Sequence, residues 1–274
     1  MRYQTFTAEQ LGISGASPDF RLTAYIGAHT TAPRPAILIL PGGGYAVDSP
    51  FEGEPVALHF LAAGFQSFVL HYSLAPAARY PQQLTEAAAA LAFIRKQANQ
   101  LQADPNRVVI CGFSAGGHLA GCLCNLWNEP FLQAALGQVN SLFRPDAGVL
   151  CYPVISAEPG SSSFDNLGVT CGLLGEHKKL SLETSVTSEN PPAFLWHTFA
   201  DEMVPVFHTL RYAEALRANG VPFELHVYAE GPHMLSLATE HTAWRPELNC
   251  PQAATWTGLC ESWLKNAVFR RCTR

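Results

Sequence analysis

Short apolar runs alternate along the chain with longer stretches in which apolar positions recur at helical spacing. Residues 36–40, Ala-Ile-Leu-Ile-Leu, form one continuous apolar run, the pattern of a strand buried on both faces. Comparable runs at 67–72, 107–111, 147–152, 193–199 and 223–228 predict five more strands. Between them the spacing predicts a helix over 54–63, ending at Gly64, and another over the alanine-rich 82–100, with Pro81 in its first turn. Further helices are expected at 115–126, at 206–219 before Gly220, and at 253–267. Such alternation means an α/β fold, a mostly parallel central sheet with helices on both faces, in one domain spanning 1–274. The stretch 156–192, rich in Ser, Gly, Glu and Thr, breaks the rhythm. It is too long for an ordinary connection and reads either as a short lid or active-site insertion or as a surface excursion.

Composition narrows the field. Of 274 residues, 48% are hydrophobic and 14% charged, which suits a large buried core and not a disordered chain. A formal net charge of -5 gives no basic surface and argues against nucleic acid as a partner. Met1-Arg2-Tyr3-Gln4-Thr5 opens no apolar leader core, and no apolar stretch is long enough to span a bilayer. A soluble protein with no membrane partner is expected. The eight cysteines include Cys111, Cys122, Cys124 and Cys151 in apolar segments, with no CxxC pair and no common zinc spacing. Reduced, buried thiols in the cytoplasm are expected, with no metal or cofactor, and homo-oligomerisation stays open.

The chemistry gathers around Ser114. In a parallel sheet, ligands meet the loops at the carboxyl ends of the strands. Ser114 lies at such a point, between the 107–111 strand and the 115–126 helix. Gly112-Phe113-Ser114-Ala115-Gly116 is therefore a G-x-S-x-G in the setting that gives the motif meaning. The turn is so sharp that side chains two residues before and after the serine would collide, and glycine removes them. The hydroxyl then stands clear, and the Ala115 N–H faces a bound carbonyl. The plainer alternative is a helix N-cap serine after a glycine turn.

A serine nucleophile needs a base, itself oriented by an acid, in the chain order Ser, Asp or Glu, His. Asp146 precedes its strand and so lies at the wrong edge of the sheet, and Asp165 belongs to the 156–192 stretch. Asp201 follows the 193–199 strand at its carboxyl end, with Glu202 the neighbouring alternative. Of the histidines after Ser114, His118 and His208 fall on helices, His197 and His226 in strands, and His177 in the insertion. His233, in Gly231-Pro232-His233, follows the 223–228 strand at the correct edge; His241 is the second choice. Pro41-Gly42-Gly43-Gly44-Tyr45 follows the first predicted strand and fits a loop whose backbone N–H groups stabilise an oxyanion. Tyr45 and Phe113 are the bulky residues expected beside the nucleophile, lining a substrate pocket with little room for an acyl tail.

Together these stretches resemble the α/β-hydrolase superfamily, and within it the small acetyl esterase branch that includes acetyl-xylan-esterase-like proteins. The likeness covers most of the chain, from the 36–40 strand to the last helix. "PGGGY" resembles that branch's H-G-G-G oxyanion loop, with Pro41 in place of the histidine, which removes a loop-bracing side chain. "GFSAGGHLA" matches the nucleophile elbow, "WHTFADEMVPV" the acid loop and "EGPHML" the histidine loop. The resemblance implies the α/β-hydrolase fold, a Ser114–Asp201–His233 triad, and oxyanion donors from Gly43, Gly44 and Ala115. It also implies hydrolysis of short acyl esters, often acetyl groups on sugars, so the partner is a small-molecule or oligosaccharide ester. The segment before Arg34 is too short for a large helical cap, which favours an open site and a bulky alcohol over a long-chain lipid. Two other readings stay open: a peptidase or amidase with the same triad, and a non-catalytic binding protein on this fold.

Overall fold

The computed structural model describes residues 1–28, 32–157 and 180–269. In chain order its elements are β1 (Arg2–Phe6), α1 (Ala8–Leu11), β2 (Arg21–Ile26), β3 (Arg34–Leu40), α2 (Glu54–Ala62) and β4 (Gln66–His71). Then come α3 (Gln82–Lys96), α4 (Ala98–Leu101), β5 (Ala103–Phe113), α5 (Ala115–Leu126), α6 (Pro130–Leu136) and β6 (Ala147–Cys151). β7 (Ala193–Thr198), α7 (Phe207–Ala218), β8 (Phe223–Tyr228), α8 (Pro251–Ala254) and α9 (Trp256–Trp263) complete the set. Most of the 156–192 stretch, with Asp165 and His177, lies outside the described residues.

The strands form one sheet in the order β1-β2-β4-β3-β5-β6-β7-β8. β1 and β2 pair antiparallel at one side, and every pairing from β4 to β8 is parallel. Strand alternation divides the core between the two faces of this sheet. Ala36, Leu38 and Leu40 of β3 turn one way, with Val108 and Ile110 of β5, and pack with α3, α5 and α7. Ile37 and Ile39 turn the other way, with Val109 and Cys111, and pack with α2 and α9. Parallel pairing sends the carboxyl ends of β3, β5, β7 and β8 to the same edge. The loops carrying Gly43, Ser114, Asp201 and His233 therefore open side by side.

Three expectations change. β1 and β2 precede the first predicted strand; β1 is a solvent-exposed edge strand whose burial follows no apolar alternation. The 82–100 helix is two, α3 and α4, broken at Gln97. The last predicted helix divides into α8, α9 and a π-turn over Leu264–Val268. No helix among the described residues is long and apolar enough to cross a membrane.

All twelve residues of α5 are buried, which obliges its polar side chains to find partners inside the protein. His118 does so on both ring nitrogens. Its Nε2 lies 2.8 Å from the Leu180 carbonyl oxygen, which can only accept, so Nε2 carries the proton. Nδ1 then accepts from the Tyr45 hydroxyl at 2.8 Å. Burial disfavours the imidazolium and lowers the His118 pKa from 6.5 to about 4. The unfolded chain takes up this proton near 6.5 and the folded chain only near 4, so His118 costs stability as the pH falls through that window; below it the loss levels off. The drop in unfolding free energy between about pH 7 and about pH 4.5 is expected to be smaller in His118→Gln than in the wild type. The difference should be roughly 2 kcal/mol, read by denaturant titration at the two pH values. Equal drops would mean that His118 does not titrate in this range.

Candidate active site

Ser114 joins β5 to α5 with φ 54° and ψ -117°, a backbone region that L-residues seldom adopt. Two backbone approaches hold it there. A Cβ on Gly112 would lie 2.1 Å from the Gly116 carbonyl oxygen, and a Cβ on Gly116 would lie 2.2 Å from that of Leu40. Both glycines are required as the sequence suggests, but the atoms that exclude a side chain belong to Gly116 and to the end of β3, not to the serine itself. The Ser114 N–H donates to the Cys151 carbonyl at 3.0 Å, and the Ser114 carbonyl accepts from Val154 at 3.2 Å, so neighbouring β6 fixes the turn as well.

The Ser114 Oγ lies 2.7 Å from His233 Nε2, and His233 Nδ1 lies 2.6 Å from Asp201 Oδ2. A carboxylate can only accept, so Nδ1 carries the proton and Nε2 is left to accept from the serine hydroxyl. The three residues are 6%, 5% and 4% exposed, respectively, for Ser114, His233 and Asp201. Asp201 Oδ1 accepts from the N–H groups of Met203 and Val204 at 3.0 and 2.9 Å. The acid and histidine loops are tied directly by the Thr198 hydroxyl, which donates to the Gly231 carbonyl at 2.6 Å. Asp146 lies at the opposite edge, where it holds Arg95 at 3.1 Å.

His197, set aside on sequence as a strand residue, completes the acid's surroundings. It is fully buried, and its Nε2 lies 2.7 Å from the Val204 carbonyl and 3.3 Å from Asp201 Oδ2. Both partners are acceptors, so Nε2–H is shared between them, while Nδ1 accepts from the Thr209 hydroxyl at 2.7 Å. Burial by itself would raise the Asp201 pKa. Donation from His197, His233 and the Val204 N–H outweighs it and holds this carboxyl well below the usual range. The sequence signal was a histidine inside an apolar strand, which demands buried polar partners.

Gly43 and Gly44 follow β3 with φ 119° and 63°, and a Cβ on Gly43 would lie 2.0 Å from the Val47 carbonyl oxygen. The Gly43 carbonyl accepts from both Ala46 and Val47, which fixes the loop as a tight turn. Ala115 opens α5, where the first N–H groups of a helix have no partner within the helix. Among the described residues, Tyr45 and Phe113, expected beside the nucleophile, both turn into the core. Phe113 is fully buried against Tyr152 and Trp256 on the α2 and α9 side of the sheet. Tyr45 is 4% exposed and packs in the opposite core, drawn inward by its bond to His118.

Residues 22–144 match the BD-FAE family model, and residues 173–246 match that of the prolyl oligopeptidase family. The chain is 37% identical to the acetyl ester-xyloside bifunctional hydrolase from Caldicellulosiruptor lactoaceticus. The two superpose with a TM-score of 0.75, covering 90% of this chain and 88% of that one. It is 34% identical over 218 residues to endo-1,4-beta-xylanase B of Butyrivibrio fibrisolvens, covering 76% of this chain and 33% of the relative. It is 29% identical over 215 residues to the acetylxylan esterase of Xylanibacter ruminicola, covering 74% and 42%. The chain thus spans less than half the length of these two curated relatives.

The contacts at the elbow set a stability test. Gly116→Ala forces a methyl group into backbone atoms that cannot move aside, and a loss of about 3 kcal/mol or more is expected. Gly258→Ala in α9, where nothing lies within 4 Å, should be neutral or stabilising by up to about 1 kcal/mol. Unfolding midpoints of the two variants read the contrast directly, and similar midpoints would contradict the packing described.

Proposed function

The chain belongs to the esterase branch of the α/β-hydrolase superfamily, and from that premise we propose that it is a serine carboxylesterase removing short acyl groups, acetyl above all, from sugars or oligosaccharides. The observation that carries this reading is the unbroken line of hydrogen bonds from Ser114 through His233 to Asp201, opening beside the Gly43 turn. In the proposed reaction His233 Nε2 takes the Ser114 proton as Oγ attacks the ester carbonyl. The developing oxyanion is met by the N–H groups of Gly43, Gly44 and Ala115, preorganised by the glycine turn and the first turn of α5. Asp201 keeps the Nδ1–H tautomer in place and stabilises the imidazolium as it forms. The imidazolium returns its proton to the departing alcohol, leaving Ser114 acylated. A water then attacks the acyl carbonyl, with His233 again as base, and the acid is released as the serine is restored.

The acetyl and sugar parts of the reading draw on the likeness to the Caldicellulosiruptor lactoaceticus hydrolase and the Xylanibacter ruminicola acetylxylan esterase. The prolyl oligopeptidase match over 173–246 favours one alternative, amide hydrolysis by the same three side chains. Buried free thiols such as Cys111, Cys122 and Cys151 fit a reducing compartment, and the cytoplasm is the proposed location.

A panel of p-nitrophenyl acetate, butyrate and octanoate, acetylated xylo-oligosaccharides and a peptide p-nitroanilide separates these substrates. Acetate esters should exceed octanoate esters by at least about tenfold in kcat/KM, with the anilide untouched. Comparable acetate and octanoate rates would remove the short-acyl assignment. Ser114→Ala should lower kcat by about 10⁴- to 10⁶-fold with the unfolding midpoint preserved. A variant keeping more than about a tenth of the wild-type rate would reject Ser114 as nucleophile.

A further inference from the structure

Glu52 ends a short 3₁₀ turn, Pro50–Glu52, between the glycine loop and α2. It is 1% exposed, yet no lysine or arginine among the described residues forms an ion pair with it. Burial pushes its carboxyl up, and donors from Tyr152 and Gly42 pull it part of the way back. An apolar side chain would fill the same space without this desolvation cost. What the carboxyl group does that a leucine cannot is accept at both oxygens.

Those two bonds lead to opposite sides of the site. Glu52 Oε2 accepts from the Gly42 N–H at 2.8 Å, the peptide immediately before Gly43. Gly42 is itself lodged against the elbow, since a Cβ there would lie 2.9 Å from the Phe113 carbonyl oxygen and 3.1 Å from Ser114 Cβ. Glu52 Oε1 accepts from the Tyr152 hydroxyl at 2.7 Å, and that hydroxyl oxygen accepts from the Ser236 N–H at 2.8 Å. Ser236 is three residues beyond His233, in a loop where Met234, Ser236 and Ala238 all have positive φ. Such a backbone persists only when its surroundings hold it. Phe51, next to Glu52, adds a second grip: its carbonyl accepts from the Ser236 hydroxyl at 2.5 Å. The Tyr152 ring stands edge-on to the His233 imidazole, 5.0 Å between centroids.

We propose that Glu52 is a positioning residue that fixes the oxyanion loop and the histidine loop relative to one another, through Gly42 on one oxygen and Tyr152 on the other. It takes over the bracing lost where Pro41 stands in place of a histidine. The proposal rests on Ser114 and His233 acting as nucleophile and base. Glu52 touches no reacting atom, so its removal should act on kcat and not on substrate affinity.

The test is steady-state hydrolysis of p-nitrophenyl acetate by Glu52→Leu, Glu52→Gln, Tyr152→Phe and the Glu52→Gln/Tyr152→Phe double variant, with Ser114→Ala alongside. Displacements of about 1 Å at a catalytic site can cost on the order of 100-fold. Glu52→Leu is therefore expected to lose about 10- to 100-fold in kcat with KM within about threefold. Glu52→Gln can still accept from Gly42 but not also from Tyr152, and should retain more than the leucine variant. The double variant should lose less than the product of the two single losses, since both break one chain. Additive losses, a kcat within about twofold of wild type in Glu52→Gln or Glu52→Leu, or a loss that appears in KM alone would overturn the proposal. So would a kcat deficit matched by the unfolded fraction seen by circular dichroism. If Glu52→Leu fails to fold, the glutamine variant and the double variant decide the matter. Should Ser114→Ala remain active, the esterase reading fails. Should Ser114→Ala be inactive while the Glu52 variants match wild type, the positioning role alone fails.

Discussion

The carbonyl oxygens of Leu40 and Pro41 press so closely on Gly116 that a methyl group there would lie 2.2 and 2.4 Å from them. This approach follows from β3 and β5 being neighbours in the sheet, with Leu40 paired to Gly112. It brings the end of one strand against the first turn of the helix that follows the other. Ser114 turns there with a positive φ, and the glycine loop lies beside it. The Ser114 hydroxyl and the Gly43–Gly44 turn arrive together because β3 and β5 are adjacent strands. The loops after β7 and β8 then need only reach across the same edge.

Around this contact several buried polar groups are each held by two or more partners. Asp201 meets two imidazoles and two backbone N–H groups. His118 spans Tyr45 and Leu180, and Tyr152 spans Glu52 and Ser236. Each joins elements far apart in the chain, and each would be costly if half satisfied. Such networks specify one arrangement of loops more than they add net stability, because the same atoms were well hydrated in the unfolded chain. A site built from four separate loops requires that kind of specification.

What the sequence made legible was local. The continuous apolar run of β3, the boundaries of α5, and the glycines on either side of Ser114 all follow from neighbours a few residues away. Asp201 and His233 could be chosen because topology alone places strand ends at one edge. β1 was not legible: four of its five residues are exposed, so no apolar pattern marks it, and only pairing with β2 makes it a strand. Phe113 and Tyr45 were placed in the pocket by their distance along the chain from the catalytic motifs. Strand alternation and the His118 bond turn their rings into the core instead. His197 and Glu52 were passed over because their roles depend on partners brought in by folding; Tyr152 is 100 positions from Glu52.

The enclosure of α5 divides the chain into parts with unequal freedom to change. Every side chain of that helix touches the interior, and its first turn has no room for even one added carbon. Variation that alters what this scaffold accepts must therefore arise elsewhere. Val47 and Phe199 in the loops after the strands are exposed, and Phe51 and Trp244 stack on one another at the surface. Substitution is least constrained along that exposed rim and most constrained in the enclosed helix beneath it.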